Sequence, residues 1–286
     1  MKRLFVYITL IISVVTTYAD NWIKDAELGI LEVRYKRIEV TDTLHRDSLF
    51  FKDEMILRIG KTKSLFCNVK QFFKDSLTLA NPEAAWDMLK AEMDKGGPNA
   101  FTNLSGHKSS YLYKDYSDNA IIEEDYFDMT PWRYKEEWKK PEWNTTDESK
   151  EILGYECFKA TTDYRGRRWT AWFAPEIPVQ EGPWKLCGLP GLILEAYDTT
   201  RDYVFEACGL MNNSLGEVGF YRNRKSDDYF DVKRDQFFNN WWRYKHSDLV
   251  AKIRAAYGLN IKQTPNESTT KTVSYDKEET DYPHDL

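Results

Sequence analysis

The sequence predicts an α+β fold: a curved antiparallel β-meander, half-barrel-like, with one early helix and further helices after the last strand. Three observations predict it. Alternating apolar and polar segments, separated by short turn signals, follow one another from Glu27 to Leu210. Aromatic residues make up 15% of the chain, a load that suits sheet faces. Helical spacing is confined to two places, after Asn81 and between Asp227 and Tyr257.

The elements follow in order. Glu27–Val40 alternates around Leu28, Ile30, Val33 and Tyr35 and reads as a first strand with a bulge near Glu32. Glu54–Ile59 and Lys63–Val69 form a hairpin across Gly60. Asn81 caps a helix with Pro82 in its first turn, and Ala84, Ala85, Met88 and Leu89 share one face. Ser109–Tyr116 and Ala120–Tyr126 make a second hairpin. Tyr134–Lys150 is highly charged and contains Pro141, so it is an edge strand with a loop or a surface excursion. Tyr155–Thr161 and Arg167–Ala174 pair around Asp163–Gly166, with facing residues whose numbers add to about 331. That register puts Phe158, Ala160, Ala171 and Phe173 on one side. Cys157, Lys159, Thr170 and Trp172 share the other, wetter side. Leu192–Tyr197 and Asp202–Leu210 form the last hairpin. Phe237, Trp241 and Tyr244 make a helical stripe, and Ser247–Tyr257 a second helix ending at Gly258.

Residues 1–19 read as a secretory signal. Lys2 and Arg3 precede an apolar run, and Ala19 stands at the cleavage position. The run is short for a membrane anchor. One domain is expected over 20–260, and 261–286 reads as a polar, disordered tail. The expected location is the periplasm or the exterior. The formal charge is -6, and removing Lys2 and Arg3 makes it -8, so no nucleic-acid partner is expected. The four cysteines, Cys67, Cys157, Cys187 and Cys208, have no metal-site spacing; in an oxidising compartment they are candidates for two disulfides of unknown pairing.

Gly182–Asp198, GPWKLCGLPGLILEAYD, is the most unusual stretch. Gly182-Pro183 is a turn signal, and Pro190 fixes a turn residue between Gly188 and Gly191. The segment is a stiff crossover into a strand, with Trp184 to pin it against the sheet. On the structural side it shapes a sheet corner. On the functional side, bare amides at Gly188 and Gly191 line a ligand mouth.

Gly188-Leu189-Pro190-Gly191-Leu192-Ile193, preceded by Gly154–Ala160, Gly166-Arg167, Ala171–Pro178 and Gly182–Lys185, resembles the GLPGLI family of secreted proteins from Bacteroidetes-type bacteria. The pattern covers roughly residues 30–210, and residues 215–286 carry no motif of it. The resemblance implies an envelope protein and no particular activity. The strand pattern is also similar to that of periplasmic half-barrels that carry or sense lipoproteins, an analogy of fold alone.

No GxSxG elbow, P-loop or dinucleotide fingerprint occurs, and His45, His107, His246 and His284 have no partners at metal-helix spacing. No cofactor, metal or catalytic residue is expected. Trp172, Trp184, Trp241 and Trp242 are the candidate binding residues. The leading expectation is a non-enzymatic carrier whose concave apolar face, too large for its own side chains to fill, holds an apolar ligand, a lipid or a polypeptide segment. An envelope hydrolase would instead gather two carboxylates in a cleft with shifted pKa values. An interaction module of an outer-membrane complex would expose an apolar patch and no pocket.

Overall fold

The computed structural model describes residues 23–48, 50–95, 100–128, 130–213, 215–221, 229–245, 247 and 277–282. The expected signal segment, the helix at Ser247–Tyr257, most of the expected tail, and His246 and His284 lie outside the described residues. No helix among the described residues is long and apolar enough to cross a membrane.

A twelve-stranded sheet dominates. Its strands are β2 (Leu31–Val40), β3 (Phe50–Ile59), β4 (Lys63–Asn68), β5 (Tyr111–Asp115), β6 (Ala120–Phe127), β7 (Thr130–Glu137), β8 (Asn144–Ile152), β9 (Tyr155–Tyr164), β10 (Arg167–Ala174), β11 (Leu192–Asp198), β12 (Tyr203–Met211) and β14 (Phe230–Val232). The spatial order is β14-β7-β6-β5-β4-β3-β2-β12-β11-β10-β9-β8, open at both ends. All pairings are antiparallel except β14 with β7, so the sheet is mixed. A separate ribbon pairs β1 (Ile23–Leu28) with β13 (Glu217–Tyr221).

The expected long first strand is two. Gly29 and Ile30 carry the chain from the ribbon into the large sheet: Gly29 N–H bonds Gly216 O, and Ile30 N–H bonds Ile59 O. Beyond them β2 pairs with β3 without a break, so no bulge falls near Glu32. Glu32 is buried because Arg58 and Arg34 hold its carboxylate at 2.8 and 2.9 Å.

The β9–β10 hairpin keeps the expected register, from Tyr164 opposite Arg167 to Phe158 opposite Phe173. Its turn residues Arg165 and Gly166 have φ of 55° and 79°, as a tight hairpin turn requires. The wetter side is not wet at Trp172, however. That ring is buried, with Lys150 Nζ 4.4 Å above it and the Lys150 ammonium 2.5 Å from Glu195. An amphipathic side chain from β8, two strands away, roofs the indole.

Four helices complete the described fold. α2 (Pro82–Asp94) starts where expected, with Asn81 Oδ1 accepting the Ala84 amide at 3.1 Å. α1 (Val69–Ala80) was not anticipated, because it begins directly at the end of β4 with no turn residue between. Its cap is Asn68, which accepts the Lys70 amide at 2.9 Å. α3 (Ala100–Ser105) follows. α4 (Arg234–Lys245) buries the expected stripe residues Phe237 and Trp241, with Tyr244 packed beside them.

Candidate functional site

The loop between β10 and β11 occupies one face of the sheet. Alternation places Tyr35 of β2, Lys114 of β5, Tyr134 and Glu136 of β7, and Tyr164 and Trp169 of β9 and β10 on the side that touches this loop. A buried coil needs partners for its backbone groups, and the surrounding strands supply them. Tyr35 OH donates to Ile193 O at 2.6 Å. Lys114 Nζ donates to Glu181 Oε2 at 2.5 Å and to the carbonyls of Gly182 and Leu186 at 3.2 and 3.4 Å. Trp143 Nε1 donates to Cys187 O at 2.8 Å.

Trp184 is 1% exposed and packs its ring against Tyr164 and Trp169 at 6.0 and 5.4 Å. It adopts φ 52°, a left-handed conformation that is costly for a bulky side chain and persists only where the surroundings enforce it. Gly188 has φ +89°. At Gly191 a Cβ would lie 2.3 Å from Ala174 O. The amides of Gly188 and Gly191 are bonded to Gln180 O and Leu189 O. The loop's own carbonyls therefore take up the amides expected to line a ligand mouth.

The next residue, Lys185, is the centre of the site. Its side chain is fully buried, with Nζ 2.7 Å from Glu136 Oε1, 2.8 Å from Tyr134 OH and in contact with Glu279. Tyr134 OH in turn donates to Glu123 Oε2 at 2.7 Å. Glu279 belongs to the stretch expected to be a disordered tail. Over Lys277–Tyr282 that expectation does not hold: Lys277, Glu278, Glu279 and Tyr282 are all buried. Its two adjacent glutamates go to different partners. Glu279 meets Lys185, Arg165 and Arg234. Glu278 Oε1 accepts from Arg37 at 3.0 Å and Lys108 at 2.8 Å. Lys277 lies 3.4 Å from Asp125 and over the rings of Phe237 and Trp241, and Tyr282 stacks on Phe238 at 4.7 Å. One backbone bond, Thr280 N–H to Arg165 O at 3.0 Å, and one side-chain bond, Arg167 Nη2 to Lys277 O at 2.9 Å, fix its place.

Burial alone would push both glutamates up. The surrounding cations outweigh it and hold both carboxyls below the ordinary range: Lys108 and Arg37 at Glu278, Lys185 and Arg234 at Glu279. Their folded pKa values are lowered, so their contribution to stability is present above the unfolded value of 4.5 and is lost as pH falls through the folded values. The thermal midpoint is expected to drop on acidification below about pH 4.5. The Glu278→Gln/Glu279→Gln variant should flatten that drop in a series of scanning-calorimetry runs. An unchanged acid limb in the variant would refute this account.

Of the two states open to the cysteines, disulfides or free thiols, the structure has free thiols. Cys67, Cys157 and Cys187 are buried, and burial pushes Cys157 up to about 11 and Cys187 up to about 12. Cys208 is exposed because it sits in a bulge, between the Ala207–Tyr35 and Gly209–Arg34 pairs. One thiol should therefore react rapidly with a chromogenic disulfide reagent in the native protein and four after denaturation. A native count of zero or two would contradict this burial.

The four candidate tryptophans turn out to be packing groups. Trp172, Trp184 and Trp241 are buried, and Trp242 is partly buried on the α4 cluster. Exposed aromatics lie elsewhere, among them Trp86 at 64% and Phe73 at 60% on α1 and α2 and Phe230 at 60% on β14. His45 pairs with Asp42, and His107 stacks on Phe51 and faces Asp53. Among the described residues no group of three or more His, Cys, Asp or Glu is placed to hold a metal. Three carboxylates, Asp75, Glu124 and Asp125, line one small cleft. Sequence reasoning missed Lys185, Arg165, Arg234 and Glu279. The available signal was a lysine inside an otherwise apolar motif.

Comparison with known proteins yields few relatives. No curated protein matches the chain. Two structures of PNGF-II, in different space groups, are similar with a TM-score of 0.49, at 14% and 15% identity over 75% of this chain. The chain spans about a third of the PNGF-II chains, 34% and 33%. A family model described as a protein of unknown function (Porph_ging) matches residues 165–195, the stretch from the hairpin turn through the buried loop. This Bacteroidetes-type family supports the resemblance coarsely, and the match does not carry the GLPGLI name.

Proposed function

We propose that the protein is a non-enzymatic binding protein of the cell envelope, exported by the segment 1–19, and that its half-barrel-like sheet holds an extended acidic polypeptide segment. The expected open apolar face is filled by residues 175–191, so the reading rests on the groove beside them. One observation carries it: two adjacent glutamates, Glu278 and Glu279, go to two separate cation clusters, Arg37 with Lys108 and Lys185 with Arg165 and Arg234. A surface that sends adjacent side chains of a docked segment to separate cation clusters reads the sequence of that segment. The chain's own Lys277–Tyr282 is then a built-in occupant.

The test uses the full chain. Glu278→Gln/Glu279→Gln releases the internal occupant, and a fluorescent peptide with the sequence of residues 274–286 is offered in trans. Anisotropy should show binding to the variant at least about tenfold tighter than to the wild type, whose groove is occupied. Equal binding to both chains, or binding to neither, rejects the reading.

A further inference from the structure

The docked segment Lys277–Tyr282, KEETDY, carries a single cation among its acids. That cation is buried, not turned to solvent. Lys277 Nζ lies 5.1 Å from the ring centre of Phe237, 5.6 Å from that of Phe238 and 5.1 Å from that of Trp241. Its nearest carboxylate oxygen is Asp125 Oδ2 at 3.4 Å. Phe237 and Phe238 stand four and three residues before Trp241 on α4, a spacing that brings their rings together. The sheet holds them there: Phe127 and Tyr134 pack on Phe237 at 5.5 and 4.7 Å. The cage is built by α4 and β6, and only its ammonium comes from the segment.

Three ring faces and one carboxylate suit a compact cation. Asp125 Oδ1 accepts from Ser109 Oγ at 2.6 Å and from the Tyr126 amide at 2.8 Å, while Oδ2 faces the ammonium. Burial alone would lower the pKa of the Lys277 ammonium. Asp125, Glu123 and Glu278 outweigh burial, raise it and keep the group charged. At the other end of the segment, the buried ring of Tyr282 stacks on Phe238 with the ring planes 21° apart. Phe238 therefore meets both ends of the segment. Two side-chain subsites stand beside the two cation clusters.

We propose that the groove selects a polypeptide segment with a lysine directly before two acids and an aromatic ring three residues after the second acid. This is the pattern of Lys277, Glu278, Glu279 and Tyr282. The inference rests on the reading of the groove as a polypeptide site and adds the two residues that tell one acidic segment from another. Charge alone gives the opposite preference at the first position. Arg37, Lys108, Lys185, Arg165 and Arg234 make the groove cation-rich, so long-range attraction favours a segment without a lysine. A requirement for lysine has to come from the cage itself. A methionine there would keep the apolar contacts and lose the attraction of the rings and Asp125 for a cation.

The test offers three fluorescent peptides of residues 274–286 to the full Glu278→Gln/Glu279→Gln chain: the native sequence, Lys277→Met and Tyr282→Ala. Anisotropy should show about tenfold weaker binding of each replaced peptide. Equal or tighter binding of the Lys277→Met peptide overturns the lysine cage, and equal binding of the Tyr282→Ala peptide overturns the aromatic subsite. In both cases the polypeptide reading of the groove stands. Binding by none of the three rejects that reading and this inference with it. Trp241→Leu in the same chain should bring the native and Lys277→Met peptides to equal affinity, and a difference that persists would also overturn the cage. If Trp241→Leu does not fold, the comparison of the three peptides decides.

Discussion

Lys185→Ala is expected to lower the unfolding free energy by about 3 kcal/mol, because it takes the buried ammonium out of a network in which Glu136 and Glu279 keep only the guanidiniums of Arg165 and Arg234. The Lys185 side chain has no solvent exposure, so water cannot replace the missing ammonium. Tyr134 OH would lose its donor as well. The effect belongs to the broken network more than to the attraction itself. Accordingly, Lys185→Met/Glu279→Gln, which removes both charges while keeping volume, should recover part of the loss. Urea unfolding of the three chains measures both quantities. A loss below about 1 kcal/mol in Lys185→Ala would mean that Arg165 and Arg234 neutralise the two glutamates without it.

Gly191→Ala is expected to cost about 3 kcal/mol for a different reason. Its new methyl group would stand 2.3 Å from Ala174 O and 2.8 Å from Pro175 N. Both are backbone atoms at the other end of the same loop, so no side chain can turn aside to make room. Gly154→Ala is the informative control. Gly154 also has a positive φ, +82°, but nothing lies within 4 Å of its added Cβ. That variant should cost only about 1 kcal/mol, the conformational penalty alone. Equal losses in the two variants, read from the same unfolding curves, would show that backbone conformation and not crowding governs Gly191.

Features written in local chemistry were legible in the sequence. The Asn81-Pro82 cap, the register of β9 with β10 and the stripe of Phe237 and Trp241 each depend on residues within a few positions of one another, and they stand where the pattern put them. The opening of the chain was half read. Gly29-Ile30 marks a change of sheet, which alternation alone cannot distinguish from a bulge. The candidate site was almost invisible. Lys185 beside Trp184, and Lys277-Glu278-Glu279 in a polar tract, acquire their roles only from partners far along the chain. Glu278 meets Arg37 across 241 positions, and Glu279 meets Lys185 across 94. Aromatic content predicted packing correctly in kind, yet it drew the search for a binding site toward rings that are part of the interior.

The order of strands in the large sheet sets a timetable. β2 lies between β3 and β12, so Tyr203 of one half faces Glu39 of the other across 164 positions. The ladder β7-β6-β5-β4-β3-β2 can form from neighbours in the chain, and so can β12-β11-β10-β9-β8. The seam between them waits until β12 has been delivered, and closing so long a loop costs about 4–5 kcal/mol of chain entropy before any seam contact forms. Two preassembled ribbons with a late seam make for slow, non-local folding, on the scale of milliseconds to seconds. During that interval the β2 and β12 edges stand open to any other strand in reach. The last-made seam is where misassembly with a neighbouring chain would begin.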